Sequence, residues 1–249
     1  MPSDTLEMMF REFHLPTMAA NCGQMLQSAE TQNWGYRRLL VELCEAEAAD
    51  RRERKRGRLL RESGLPQGKT LGNLEESKLP EKVRRQLPTL LEGGFIERAE
   101  NLLAFGLPGR GKSHFLAALG RELVLRHAMS VCFTPTFKLV QQLLAAKKDL
   151  RLDALLKKLD RYDAVILDDL GYTQQSREEM EVLFTFLAER YERRTVMVSS
   201  NLVFSKWDQI FKDPMTTMAA VDRLVHHAII LEFNGESQRT TKEKRGVPP

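Results

Sequence analysis

The sequence lacks the signals of a membrane or exported protein. It has no apolar run approaching the roughly 18–20 residues that a membrane-spanning helix needs. Its first residues, MPSDTLEMMFREFH, lack the basic start and apolar run of a signal peptide. Cys22, Cys44 and Cys132 have neither metal-site nor disulfide-framework spacing, which favours buried thiols. These absences predict a cytoplasmic protein with no membrane partner.

The sequence also lacks internal repeats, low-complexity tracts and a strong overall charge. Its net charge of +4 says little about partners, but the charge is unevenly distributed. Residues 51–61 hold seven basic residues against one acid, Glu53. This excess favours a polyanionic partner, and a solvated helix face is the alternative. The candidate contacts are Arg51, Arg52, Arg54, Lys55, Arg56 and Arg58.

Composition and periodicity predict three regions. Residues 1–64 have helical spacing and predict a small helical domain of three helices, near 5–14, 16–31 and 36–61. Residues 65–94 are rich in Pro and Gly and predict a linker with one short helix near Glu81–Leu91. In residues 95–249, five apolar runs alternate with helical stretches, at 101–105, 130–134, 164–168, 195–199 and 228–233. That alternation predicts an α/β domain with a parallel sheet.

Residues 106–113, GLPGRGKS, carry the strongest motif of the chain. They follow a predicted strand and precede a predicted helix, which is the setting that a phosphate-binding loop requires. Backbone N–H groups at the helix start bind phosphate, Lys112 offers a charge to the β- and γ-phosphates, and Ser113 offers a hydroxyl to Mg²⁺. We expect ATP and Mg²⁺ as cofactors. The predicted nucleotide-binding residues here are Gly106, Leu107, Pro108, Gly109, Arg110, Gly111, Lys112, Ser113 and His114.

Two further predicted strands end in polar side chains. Asp168 and Asp169 follow an apolar run, and Asn201 follows another. Ligands bind at the carboxyl ends of parallel strands, so Asp168 is the candidate Mg²⁺ ligand and Asp169 the candidate base for the attacking water. An amide at Asn201 would reach the γ-phosphate or that water. An acidic turn and a turn-capping Asn are the alternatives.

Assembled along the chain, these motifs resemble an AAA+ ATPase. More closely, the chain resembles the IstB helper ATPases of insertion sequences, which are relatives of the DnaC helicase loaders. The segments that carry the resemblance are HLPTMAANC at 14–22, KTL at 69–71, FIERAENLLAFGLPGRGKSH at 95–114, VILDDLGY at 165–172, SSN at 199–201 followed by Trp207, AAVDRLVHHAIILEF at 219–233 and GES at 235–237. The family pattern continues GESYR where this chain has GESQR.

The resemblance implies further roles. Asn201 matches the sensor-1 position, and Arg223 matches an arginine that acts on a neighbouring subunit's ATP. Phe95, Ile96 and Asn101 match residues that border the adenine, although a buried core is the alternative for them. Many relatives have Glu where this chain has Asp169. Only 16 residues follow Phe233, which predicts an AAA+ core without the C-terminal lid domain.

The resemblance also implies a biological role. A helper of transposition would form an ATP-dependent homo-oligomer, ring or helical, on duplex DNA without sequence preference and present a target to its transposase. Besides the basic run, residues 138–158 predict a two-helix insert with Lys147, Lys148, Arg151, Lys157 and Lys158 as DNA contacts. A solvated amphipathic pair is the alternative. The rival functions are a DnaC-like helicase loader, a nucleotide-gated DNA switch with negligible hydrolysis, and a small-molecule kinase.

Overall fold

The computed structural model describes residues 2–171, 176–202, 207 and 222–234. The chain forms two compact units, Met1–Arg58 and Leu59–Pro249. The division falls within a long helix, α3 (Tyr36–Glu62). No helix in the described part of the chain is long and apolar enough to cross a membrane. The GESQR segment, which differs from the family pattern GESYR, lies outside the described ranges. The predicted absence of a lid domain also concerns residues outside them.

The smaller unit consists of α1 (Pro2–Glu12), α2 (Pro16–Thr31) and most of α3. Its core is small, with Met18, Ala19, Cys22, Ala29 and Leu43 as the buried apolar side chains. At the start of α2 the Glu47 carboxylate, only 2% exposed, accepts the N–H groups of Thr17 and Met18 at 2.8 and 3.1 Å. These N–H groups have no partner within their own helix, so Glu47 satisfies them.

Electrostatics explain why Glu47 is charged in this position. Burial by itself would raise the pKa of Glu47, but hydrogen bonds from Arg51 and from the two backbone N–H groups outweigh burial and lower the pKa. The Arg51 Nε lies 2.8 Å from Glu47 Oε1. A buried carboxylate with four donors, the fourth being Arg54 Nη2 at 3.5 Å, thus connects α2 and α3.

The larger unit is an α/β sandwich. Its helices after α3 are α4 (Glu81–Leu91), α5 (Gly94–Glu97), α6 (Lys112–His127), α7 (Thr136–Lys148), α8 (Leu152–Leu159) and α9 (Arg177–Arg190), with a short 3₁₀ turn at Glu76–Lys78. Its strands are β1 (Asn101–Phe105), β2 (Val131–Pro135), β3 (Ala164–Leu170), β4 (Thr195–Ser200) and β5 (Ala228–Glu232). The five strands form one parallel sheet in the order β2-β3-β4-β1-β5, which confirms the predicted fold class.

This strand order positions the site. Strand β1 pairs with β4 rather than with β2, so β4 lies between the two strands that carry the phosphate loop and the acidic pair. All carboxyl ends lie at one edge of a parallel sheet. Phe105 pairs with Ser200 there, and Leu167 pairs with Val198. The loop at 106–111, the two aspartates and Asn201 therefore meet at one edge.

Both faces of the sheet are covered. Alternate strand residues enter two different apolar clusters, as expected for strands with helices on both faces. One cluster joins Leu102, Ala104 and Ile166 to helices α4 and α6. The other joins Leu103, Val165, Leu167 and Val198 to helices α7 and α9.

The segment 65–94, predicted as a linker, belongs to the core of the larger unit. Val83, Leu87 and Leu90 lie on one face of α4 at helical spacing and are 0–5% exposed. Leu65, Leu74 and Leu79 are buried in the same cluster. The predicted helix Glu81–Leu91 is present, and its apolar face packs in the core of the larger unit. The Pro and Gly residues of segment 65–94 form turns and do not indicate a flexible connection.

Candidate nucleotide-binding site

The glycines of the phosphate loop are required by its backbone. Gly106 leaves the fully buried strand β1 with φ 149°, and a Cβ there would collide with the backbone of Phe233. Gly111 has φ 88° and directly precedes α6. Both φ values lie where side chains are disfavoured, so the loop conformation needs glycine. The first N–H groups of α6 consequently face the loop, and this arrangement binds anions.

The rest of the loop lies at the surface. Leu107 and Pro108 are exposed, whereas Gly109, Ser113 and His114 are half-buried. Arg110 Nη1 donates to the carbonyl oxygen of Phe233 at 3.2 Å, which ties the loop to the end of β5. No acid lies in the first turn of α6, so nothing there repels a phosphate.

Lys112 lies inside the loop and is 4% exposed. Its Nζ donates to the carbonyl oxygens of Gly106 and Leu107 at 2.6 and 3.0 Å, and to Asn201 Oδ1 at 2.7 Å. The ammonium group is therefore already aimed at the concave side of the loop. The structure also brings together two residues that lie 89 positions apart in the sequence and that the motifs had assigned to one site.

A β-bulge sets the geometry of the acidic pair. The register between β3 and β4 runs regularly to Leu167 and Val198 and then resumes at Leu170 and Ser200, so Asp168 and Asp169 together face a single residue of β4. Leu167 and Leu170 consequently pack in the same apolar cluster although they are three residues apart. Asp169 has φ 57° and is exposed, whereas Asp168 is 9% exposed.

The single residue opposite the bulge is Ser199. Its hydroxyl donates to Asp168 Oδ1 at 2.6 Å and accepts the Asp169 N–H at 2.8 Å. The backbone carbonyl of Asp168 accepts the Thr136 hydroxyl at 2.9 Å. Asp168 and the Ser113 hydroxyl are hard oxygen ligands at the carboxyl edge of the sheet, and this is the donor chemistry that Mg²⁺ prefers. The residues present therefore fit a magnesium ion.

Asn101 does not lie at the phosphate loop. Asn101 is the first residue of β1, and the phosphate loop follows the last residue, Phe105. Four residues of strand separate Asn101 from Phe105 by roughly 13 Å. Its amide Nδ2 donates to the carbonyl oxygens of Arg223 and Leu224 at 3.3 and 3.1 Å, and its Oδ1 accepts the Val196 N–H at 2.9 Å. These bonds connect β1, β4 and the chain before β5, so Asn101 has a structural role. The core alternative accounts for these contacts, and the assignment of Asn101 to the adenine stays a prediction.

Phe95 and Ile96 lie on α5 and are 2% and 8% exposed. Both belong to the apolar cluster formed with α4 and α6. The core alternative therefore accounts for their burial.

Arg223 lies beside Asn101, at the amino edge of the sheet. Its guanidinium carbon lies 4.2 Å from the centroid of the Phe184 ring, which holds it by a cation–π contact. Its buried Nη1 has no hydrogen-bond partner among the described residues. Because Arg223 and the phosphate loop lie at opposite ends of β1, the Arg223 side chain does not reach its own subunit's loop.

Some basic residues of the run at 51–61 in α3 form ion pairs and others do not. Arg51 pairs with Glu47 at 2.8 Å, Arg54 pairs with Asp50 at 2.8 Å, and Arg56 lies 3.8 Å from Glu53. Four other basic residues of 51–61 are exposed and have no ion pair among the described residues: Arg52, Lys55, Arg58 and Arg61. The first three recur at every third position and share one side of the helix.

The predicted insert is the pair α7 and α8. Leu139, Val140 and Leu143 of α7 are buried against the sheet, so α7 is a packed crossover helix. Lys147 pairs with Glu181 at 2.9 Å. The other candidates are exposed and have no ion pair in the described ranges: Lys148, Arg151, Lys157 and Lys158.

Comparison with known proteins identifies similar chains. Residues 8–246 match the family described as IstB-like ATP binding protein. An insertion sequence ATP-binding protein of Sinorhizobium fredii is 40% identical over 249 residues, covering 98% of this chain and 83% of the relative. Another, from Geobacillus stearothermophilus, is 34% identical and covers 93% of this chain and 92% of the relative. The crystal structure of the DnaC helicase loader, 18% identical, covers 61% of this chain and 89% of its own with a TM-score of 0.52, which is a similarity of fold.

Proposed function

Because the chain belongs to the family of IstB-like ATP binding proteins, we propose that it binds ATP with Mg²⁺ at residues 106–113 and hydrolyses it. One observation carries the proposal. The buried ammonium of Lys112, at the start of α6, contacts the amide of Asn201 after β4, and Asp168 and Asp169 of the neighbouring strand β3 lie at the same edge of the sheet. A structural ion-pair network would not need the loop backbone and helix start that accompany them.

Each residue has a defined part in the proposed reaction. Lys112 binds the β- and γ-phosphates, and Asn201, which its Nζ contacts, orients the attacking water. Ser113 and Asp168 would hold Mg²⁺, which when bound would supply positive charge to the phosphate oxygens. Asp169 is exposed at the same edge, where its carboxylate accepts the proton of the water.

Arg223 completes the site of a neighbouring subunit. Its guanidinium lies on the Phe184 ring and its Nη1 has no hydrogen-bond partner among the described residues, at the sheet edge opposite its own phosphate loop. A cation that acts in trans stabilises charge on the transferred phosphoryl group. The contact that brings it there joins two different faces of the subunit, so it propagates as a ring or a helix.

The biological role that we propose is that of an ATP-dependent helper of transposition. Relatives that match over nearly the whole chain are named as insertion sequence ATP-binding proteins. The helical domain at 1–64 would contact duplex DNA and the transposase, and the unpaired basic face of α3 would contact phosphates. Such contacts carry no sequence information, so the protein would accept unrelated target sequences. A helicase loader, with the same fold as DnaC, is the second candidate.

ATP turnover, measured with and without duplex DNA, tests the proposal. We expect turnover that DNA stimulates and that Lys112→Ala abolishes together with ATP binding, because the β- and γ-phosphates lose their cation. Turnover that responds to a replicative helicase instead of DNA would favour the loader. A parent protein that binds ATP and DNA without turnover would favour the nucleotide-gated switch.

A further inference from the structure

The hydroxyl of Ser199 hydrogen-bonds to both aspartates of the site. Ser199 is fully buried, and it faces the two-residue bulge formed by Asp168 and Asp169. One hydroxyl hydrogen is donated to the Asp168 carboxylate and one lone pair accepts the Asp169 N–H. The carboxylate only accepts and the N–H only donates, so the direction of both bonds is fixed.

The bulge explains why such a residue is needed. In a regular strand, Asp168 and Asp169 would point to opposite faces of the sheet. The bulge places Asp169 in the left-handed region at φ 57°, which is uncommon for a residue with a side chain. Its N–H also leaves the regular ladder. The Ser199 hydroxyl accepts this N–H and so holds the left-handed backbone conformation of Asp169.

From this arrangement we propose that Ser199 is a positioning residue for both acids of the site. It orients the Asp168 carboxylate for Mg²⁺ and fixes the backbone of Asp169 for its part in water activation. Ser199 is fully buried, so it acts through the two aspartates. The proposal rests on the proposed ATP hydrolysis and names the residue on which its geometry depends.

Ser200 provides a matched control on the same strand. It is also fully buried, but its hydroxyl lies 2.8 Å from the carbonyl oxygen of Leu170 and accepts the Leu202 N–H at 3.1 Å, and neither bond involves an aspartate. Ser200→Ala thus removes a buried hydroxyl beside the bulge without removing a bond to either acid. Ser199→Thr and Ser199→Val form a second matched pair, because their side chains have nearly the same shape and differ in the hydroxyl.

The experiment measures kcat, KM and the Mg²⁺ concentration for half-maximal turnover, together with binding of a fluorescent ATP analogue with and without Mg²⁺. For Ser199→Ala and Ser199→Val we expect kcat to fall by about 10²-fold, the effect of a misplacement near 1 Å. We expect the half-maximal Mg²⁺ concentration to rise and binding without Mg²⁺ to stay unchanged. Ser199→Thr should retain most of the activity, and Ser200→Ala should keep the parent's Mg²⁺ dependence.

The outcomes separate this inference from the proposed function. If the parent hydrolyses ATP and Ser199→Val has the same kcat and Mg²⁺ dependence as the parent, the role of Ser199 is refuted. The proposed hydrolysis is then unaffected. Equal losses in Ser199→Ala and Ser200→Ala, with the same Mg²⁺ dependence, refute it too. If the parent shows no turnover, the proposed hydrolysis is wrong, and Mg²⁺-dependent analogue binding by the variants still decides whether Ser199 orients Asp168. A parent that binds no nucleotide refutes both.

Discussion

Neutralising the unpaired basic face of α3 should change how DNA binding depends on salt. The perturbation is the triple variant Arg52→Gln, Lys55→Gln and Arg58→Gln, which removes three of the four exposed cations of residues 51–61 that have no ion pair in the described ranges. Each phosphate contact contributes about −0.9 to the slope of log K against log salt. Losing three contacts should therefore flatten the slope by about 2.7. Between 50 and 200 mM salt, the parent should lose affinity about 40-fold more than the variant.

The assay is fluorescence anisotropy of several unrelated duplexes at four salt concentrations with a non-hydrolysable ATP analogue. A variant with Lys148, Lys157 and Lys158 changed to Gln carries the same charge loss on α7 and α8 and serves as the matched control. An unchanged slope in the α3 variant would refute the reasoning, and a slope flattened only in the control would place DNA on α7 and α8. ATP-analogue binding without DNA should be equal in all three proteins, which excludes misfolding of the larger unit.

Three other changes test the site and the smaller unit. Asp169→Asn should keep ATP binding and slow hydrolysis, and a parent-like rate would contradict its role as base. Arg223→Ala should lose activity by about 10³-fold while keeping ATP affinity, and mixing it with Asp169→Asn should partly restore turnover because some contacts then pair an intact Asp169 with an intact Arg223. No restoration in confirmed mixed assemblies would count against a shared site. Glu47→Gln should destabilise the smaller unit by about 1–3 kcal/mol at neutral pH. The lowered pKa of Glu47 gives stability that is present above the unfolded value near 4.5 and lost as pH falls through the folded pKa, so urea unfolding of the variant should depend less on acid pH.

The parts of the fold that the sequence predicts are those with local signals. The strand β1, the glycines and α6 follow one another within 27 residues, and each has its own pattern. All five strands were predicted, because apolar runs between helical stretches suffice to indicate a parallel sheet. The segment 65–94 was mistaken for a linker because its turn residues are conspicuous, while Val83, Leu87 and Leu90 occupy a single short helical face.

The remaining differences depend on contacts between distant parts of the chain. Asn101 was assigned to the adenine, although its amide connects three backbone segments at the other end of β1. The charge of the basic run was counted from Arg51 onward, so Glu47 and Asp50, which pair with Arg51 and Arg54, were left out. The contact of Ser199 with both aspartates depends on the bulge, and no residue pattern in β3 indicates one.

The separation of Arg223 from the phosphate loop has a consequence for kinetics. If Arg223 acts only on a neighbour, a lone subunit carries two incomplete half-sites that face away from each other. An open helical assembly always leaves one terminal site incomplete, whereas a closed ring completes them all. Turnover per subunit should therefore rise with protein concentration. In a helix it should continue to rise as filaments lengthen, whereas in a ring it should reach its plateau when the ring closes. The shape of an activity titration would thus distinguish the two forms of assembly without imaging either.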